Sequence, residues 1–224
     1  MSNNKILWEK LHKEPRYRPA YPYERVIQFV FGNFNRAKAA NYKIFDFGCG
    51  TGRHLVFLSE SGYRTYGGDI SKIGIEAAKK FLTTKKLHAN LQVIKDERLN
   101  YSDNYFDGLI GFGVLYYLSG EQLDRLIPEI QRILKKGGKA LFTVRSKKDY
   151  RLKYAKFMGN GDYFIIGDRK SRVANEAGML MHFFTEKEIK QRFVDFSNIM
   201  IDEMYSTYNN KEYMDHDYII ELTK

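Results

Sequence analysis

Asp46 stands next to last in the strand-like run Lys43–Phe47, which leads into Gly48-Cys49-Gly50-Thr51-Gly52, an order of residue types suited to holding a small polar ligand. Glycines permit a tight turn and let a ligand lie against bare backbone. The spacing is G-x-G-x-G. The dinucleotide fingerprint G-x-G-x-x-G would want its third glycine one residue later, where Arg53 stands, so the turn is wrong for NAD. Beyond the turn, Tyr116 and Tyr117 fall just past a fourth strand pattern, where open α/β sheets bind ligands, and Tyr116 is taken as the one facing the site. His182 precedes a helix start and is a candidate base. Cys49 lies inside the turn and would face the ligand held there, so a nucleophilic role for it is rejected. Asp107, at the start of a strand, reads as an anchor for backbone amides.

The turn is not alone. Gly67-Gly68-Asp69-Ile70-Ser71 ends a second strand, Leu99 to Asp107 precedes the fourth, Val114-Leu115-Tyr116-Tyr117-Leu118 follows it, and Ile133-Leu134-Lys135-Lys136-Gly137-Gly138 enters the fifth. In this order and spacing, across residues 43 to 145, the chain resembles the class I (Rossmann-like) S-adenosylmethionine-dependent methyltransferases, of the bacterial small-molecule type. The resemblance implies S-adenosyl-L-methionine as cofactor and S-adenosyl-L-homocysteine as product. It places Asp46 and the backbone of Gly48, Cys49, Gly50 and Gly52 at the methionyl end. Asp69 receives the ribose hydroxyls, Ile70 forms an apolar wall for adenine, and Phe112 stands beside the cofactor after the fourth strand. The family's adenine-binding acid falls at Lys95 here, and a one-residue slip puts Asp96 in the role, with Glu97 as its rival. Tyr116-Tyr117 replaces the family's histidine pair. Gly111-Phe112-Gly113-Val114 stands where base-modifying members carry N-P-P-Y or D-P-P-Y. The reaction implied is an in-line displacement at an activated carbon, for which the protein supplies mainly proximity and alignment.

The elements that must position these residues alternate. Val26, Ile27, Val30, Phe31 and Phe34 recur at helical spacing. Strands are expected at 43–47, 64–68, 91–94, 106–112 and 139–145, with helices at 53–60, 71–83 and 121–135 between them. Such alternation argues for a mostly parallel sheet with helices on both faces. Thr185 to Glu188 reads as a capping box, and 199–205 and 218–222 as a closing antiparallel pair. The expected fold is a three-layer α/β sandwich with a seven-stranded sheet, in one domain spanning 1–224. Residues 1–22 are expected as an irregular arm, and 146–181, aromatic and glycine-dotted without a period, as an insertion shaping the acceptor pocket.

Composition narrows the setting. With 43% hydrophobic residues the 224-residue chain can bury a full core, and no stretch approaches the roughly 20 apolar residues of a membrane span. The start lacks the apolar core of a signal peptide, and the single cysteine offers neither an internal disulfide nor a zinc cluster, so a cytoplasmic monomer or homodimer without metal is expected. The formal charge of +10 raises RNA as an alternative acceptor, but the lysine pairs are scattered as solvated helix ends. A small-molecule acceptor, methylated at oxygen or nitrogen, is the expectation. A binding module without turnover is the third reading.

Overall fold

The computed structural model describes residues 3–167 and 173–224. Its centre is a seven-stranded sheet in the order β3-β2-β1-β4-β5-β10-β9. The strands are β1 (Lys43–Phe47), β2 (Arg64–Asp69), β3 (Asn90–Val93), β4 (Phe106–Gly111) and β5 (Leu134–Arg145), then β9 (Ser197–Tyr208) and β10 (Tyr213–Thr223) after a smaller sheet. Strands β1 to β5 pair in parallel, while β10 runs antiparallel to both β5 and β9. This is the expected architecture, with β10 alone running against the rest.

Alternation along the strands makes the layers. Ile44, Ile110, Leu141 and Ile219 pack on one face with α2 (Glu24–Asn33) and α3 (Arg53–Glu60). Phe45, Leu109, Phe142 and Ile220 point to the other face, covered by α5 (Gly120–Ile133) and α6 (Glu186–Arg192). Helix α4 (Lys72–Thr84) seals the β2–β3 side through Ile75, Ala78 and Leu82 against Leu55. Caps fix where helices start: Ser71 accepts from the Gly74 amide and Ser119 forms a full capping box with Gln122.

Two regions depart from the sequence expectation. The first half of the amino-terminal arm is a helix, α1 (Asn3–Leu11), followed by a 3-10 turn at Pro15–Tyr17. Its amphipathic signal is short, and docking decides its conformation. Glu9 accepts hydrogen bonds from Ser71 Oγ (3.0 Å) and the amides of Lys72 (2.8 Å) and Ile73 (3.0 Å), capping α4 from outside. Asn4 bridges the Tyr117 and Leu180 carbonyls.

The 146–181 segment, of which 168–172 lie outside the described residues, is not structureless. It contains a 3-10 turn (Tyr150–Tyr154) and builds, with its continuation, the antiparallel sheet β6 (Ala155–Gly159), β7 (Asp162–Ile165) and β8 (Leu180–His182). Gly159-Asn160-Gly161, all at positive φ, is its hairpin turn. Among the described residues no helix is long and apolar enough to cross a membrane.

Candidate active site

The cavity of about 950 Å³ opens at the carboxyl ends of β1, β2 and β4, the location chain topology favours for ligands in such sheets. At its floor Gly48, Gly50 and Gly52 adopt φ of +73°, +50° and +93°. Only glycine holds this path without strain, and a Cβ on Gly48 would stand 2.4 Å from Val114 Cγ2. The Gly48 and Cys49 amides donate to the Gly68 carbonyl, tying the turn to β2.

Asp69, at the tip of β2, is 7% exposed and holds the turn's centre. Its Oδ2 accepts from the Gly50 amide (2.9 Å) and its Oδ1 from the Ser71 amide (2.8 Å). Burial pushes its pKa up to about 6, although the two amides pull the other way. Asp46 is 1% exposed and stands behind the cavity wall; its Oδ2 accepts no hydrogen bond, and its Oδ1 lies 3.6 Å from His54 Nδ1. His54, on the first turn of α3, does reach the wall, beside the stacked rings of Tyr23 and Phe112. Burial pushes the Cys49 thiol well above its ordinary value, consistent with an inert side chain within the turn.

The roof is the amino-terminal arm. Trp8, His12, Arg16, Tyr17 and Pro19 line the cavity from above. Trp8 meets Tyr117 edge-on at 5.0 Å, and His12 sits over Gly50 and Gly74. Burial holds the His12 pKa down to about 4, so its imidazole is neutral near neutrality.

Opposite the turn, β4 and the 3-10 turn Leu115–Tyr117 present Phe112, Gly113, Val114, Tyr116 and Tyr117. The Tyr116 hydroxyl accepts from Arg145 Nη2 at 2.9 Å. Its pKa is pushed up to about 12, by burial against the opposing pull of Arg145. It remains a neutral hydroxyl able to donate. The far wall is the β9–β10 hairpin: Glu203 to Ser206, Tyr208, Asp215, Asp217 and Ile219.

Of the residues singled out in the sequence, Gly48, Cys49, Gly50, Gly52, Asp69, Ile70, Phe112 and Tyr116 come together on this cavity. Two do not. Asp96 is exposed, accepts from the Arg98 amide, and lies off the wall, which Ile94 lines instead; Glu97 is engaged by Gln122 and Arg125. His182 is fully buried away from the cavity, its Nδ1 2.6 Å from Asp162 and its Nε2 2.6 Å from Glu188. With both nitrogens taken by carboxylates, it staples the small sheet to α6 and has no free lone pair for catalysis. Nor does the 146–181 segment touch the cavity among the described residues. It acts at one remove, through Asp149 on Arg145, Arg151 on Asp215, and Glu176 on the Tyr117 hydroxyl.

Sequence reasoning missed His12, His54, Arg145 and Asp217. Arg145 ends a recognisable strand on the ligand side of the sheet, a usable signal. Asp217 had none, because its strand extends five residues beyond the apolar pattern that marks it.

The donor set fits S-adenosylmethionine: a glycine turn open to a ligand, a buried carboxyl oxygen without a partner at Asp46, a second carboxylate at Asp69 suited to a diol, and apolar walls at Ile70 and Ile94. Comparisons with known proteins agree. Residues 45–142 match a family model described as a methyltransferase domain. An uncharacterised protein of Rickettsia prowazekii is 25% identical over 229 residues, covering 98% of this chain and 89% of that one. A Methanosarcina mazei S-adenosylmethionine-dependent methyltransferase superposes with a TM-score of 0.68 at 20% identity, over 91% of this chain and 98% of its own. A second, from Anabaena variabilis, gives 0.67 at 16% identity over 99% and 93%. The two share the fold.

Proposed function

We propose that the chain is a class I S-adenosylmethionine-dependent methyltransferase that moves the methyl group to a small-molecule acceptor enclosed beneath the amino-terminal arm. One observation carries the reading: the roofed cavity of about 950 Å³ is of the size ligand pockets reach, roughly 300–1,000 Å³. It has room for cofactor and a modest acceptor together. A nucleic-acid acceptor would need an open basic groove, and the cavity's cationic side chains are engaged. Arg25 pairs with Asp202 and Glu221, Arg16 with Glu14, and Arg145 with Asp149, while Arg53 lies over the Tyr23 ring.

The bound cofactor supplies an activated methyl group. The chain's residues bind and align. Gly48, Cys49, Gly50 and Gly52 offer bare backbone to the methionyl end, with Asp46 as the carboxylate behind it. Asp69 accepts from the ribose diol, and Ile70, with Phe112 across the cavity, excludes water. Tyr116, kept neutral by burial, sets its hydroxyl beside the acceptor and fixes its approach, while Trp8 and Tyr17 close the site. Incubating the protein and a cell extract with S-adenosylmethionine tritiated in the methyl group tests the assignment. Label should appear in the low-molecular-weight fraction; label confined to RNA or protein would overturn it.

A further inference from the structure

The acceptor end of the cavity differs in charge from the chain around it. Against a formal +10, the β9–β10 wall presents three carboxylates, Glu203, Asp215 and Asp217, with the rings of Tyr205 and Tyr208 between them. Two of the three are occupied by neighbours. Glu203 holds Lys148 at 2.6 Å and lies 3.7 Å from His216. Asp215 accepts from Arg151 (2.7 Å) and from the Tyr208 hydroxyl (3.2 Å).

Asp217 is different. Its Oδ1 is buried and accepts no hydrogen bond; Arg145 Nε stands 3.4 Å away as an ion-pair partner and is itself without a hydrogen bond. Arg145, 5% exposed, spends its other nitrogens on Asp149 and the Tyr116 hydroxyl. The remaining cationic side chains on the cavity belong to the arm, α2 and α3: Arg16, Arg25 and Arg53, the last lying over the Tyr23 ring. Asp217, a lining residue of the cavity, thus carries a carboxylate whose hydrogen bonding is unfilled beside aromatic rings and further acids.

We propose that Asp217 anchors the acceptor and takes its proton, and that the acceptor is a small amine arriving as its ammonium ion. The inference rests on the small-molecule reading above. An ammonium group supplies the donors that Asp217 lacks, and tyrosine faces attract cations. An acceptor bearing a carboxylate or phosphate offers Asp217 no donor and sets a like charge beside it. In the step itself, one N–H proton passes from the ammonium to the Asp217 carboxylate, leaving a neutral amine and a carboxylic acid. The nitrogen lone pair then forms the N–CH3 bond as the S–CH3 bond breaks and its electron pair stays on sulfur. Burial pushes the Asp217 pKa up to about 6 against the pull of Arg145, which makes the carboxylate a better base at neutral pH.

The test uses three probes of one size, 2-phenylethylamine, 2-phenylethanol and phenylacetate, titrated by calorimetry into the full chain saturated with S-adenosylhomocysteine. The amine should bind at least about tenfold more tightly than the alcohol, and phenylacetate should not bind. Asp217→Asn should reduce the amine to the alcohol's level with S-adenosylhomocysteine affinity intact, and Asp217→Glu should restore part of the preference. In the unsubstituted protein, amine binding should weaken as the pH falls through about 6, a readout that needs no variant. Equal or tighter binding of the alcohol or phenylacetate, no binding of any probe, or a preference that survives Asp217→Asn would overturn the amine assignment. Failure of S-adenosylhomocysteine itself to bind would instead sink the cofactor reading, and label in RNA the small-molecule reading.

Discussion

The cofactor end and the acceptor end of one cavity are built by different means. The cofactor end is backbone: three glycines at positive φ, two amides on the Gly68 carbonyl, two more on Asp69, all from residues 46–71. The acceptor end is side chain. Arg145, Asp149, Arg151, Asp215 and Asp217, from segments some seventy residues apart in sequence, hold one another by charge beside Tyr116. Backbone geometry tolerates almost no substitution, whereas a charged side-chain wall can be rebuilt one residue at a time. The contrast explains how one fold can keep its donor and change its acceptor.

The most damaging way to probe the contrast is to add one carbon to the backbone end. Gly48→Ala forces an alanine to φ near +73° and drives its Cβ to 2.4 Å from Val114. The left-handed conformation costs about 1–2 kcal/mol and overpacking about 1–3 kcal/mol. Denaturant unfolding should register a loss of about 2–5 kcal/mol, and S-adenosylhomocysteine affinity should fall more than about a hundredfold by calorimetry. Full binding by the variant would show that the turn relaxes and that the backbone end is not rigid.

Asp69→Asn comes next. It keeps the shape but removes the charge, so one amide now faces a donor, and S-adenosylhomocysteine should bind about 30- to 100-fold more weakly at neutral pH. The pH dependence has a definite sign. In the folded protein the Asp69 carboxyl titrates near 6, above its ordinary value, so protons compete with the ribose diol and affinity should drop as the pH falls through about 6. For the ligand-free fold the same shift works oppositely: this group's contribution is most favourable below about pH 4 and is lost as pH rises through 6. Affinity that is flat with pH in both proteins would remove Asp69 from the diol site.

The same contrast sets what could be read from the sequence. Gly48, Gly50, Gly52, Asp69, Ile70 and Phe112 were legible because a glycine turn at a strand end has one backbone solution, and spacing records it. The β-α alternation likewise gave the sheet and its helices. Helix α1 was not legible, because Glu9 and Asn4 stabilise it by contacts with α4 and β8, more than sixty residues away. Asp217 was hidden by the length of the β9–β10 hairpin. Four polar residues at 209–212 make the turn, and the ladder runs on through mixed polar sequence that carries no strand signal. His182 misled because a histidine before a helix looks the same whether its neighbours are substrate or two carboxylates.

His182→Asn should therefore cost stability and leave the site alone. Asp162 and Glu188, each 2.6 Å from the ring, would lose their shared partner, while Arg192 continues to hold Glu188. A loss of about 2–3 kcal/mol in denaturant is expected, with S-adenosylhomocysteine affinity within about twofold. A weakened ligand affinity at unchanged stability would return His182 to the site.

The smallest effect is expected at Asp96, and it sharpens where the backbone end stops. Asp96 is exposed and occupied with the Arg98 amide, and the cavity beside it is lined by Ile94. If the adenine wall is apolar, Asp96→Asn leaves S-adenosylhomocysteine affinity within about twofold, while Ile94→Ala, which removes packed surface, weakens it several-fold. A tenfold loss in Asp96→Asn would mean that the 95–98 turn closes on the adenine when ligand binds. The cofactor end would then share the acceptor end's dependence on a side chain, and the boundary between the two would move.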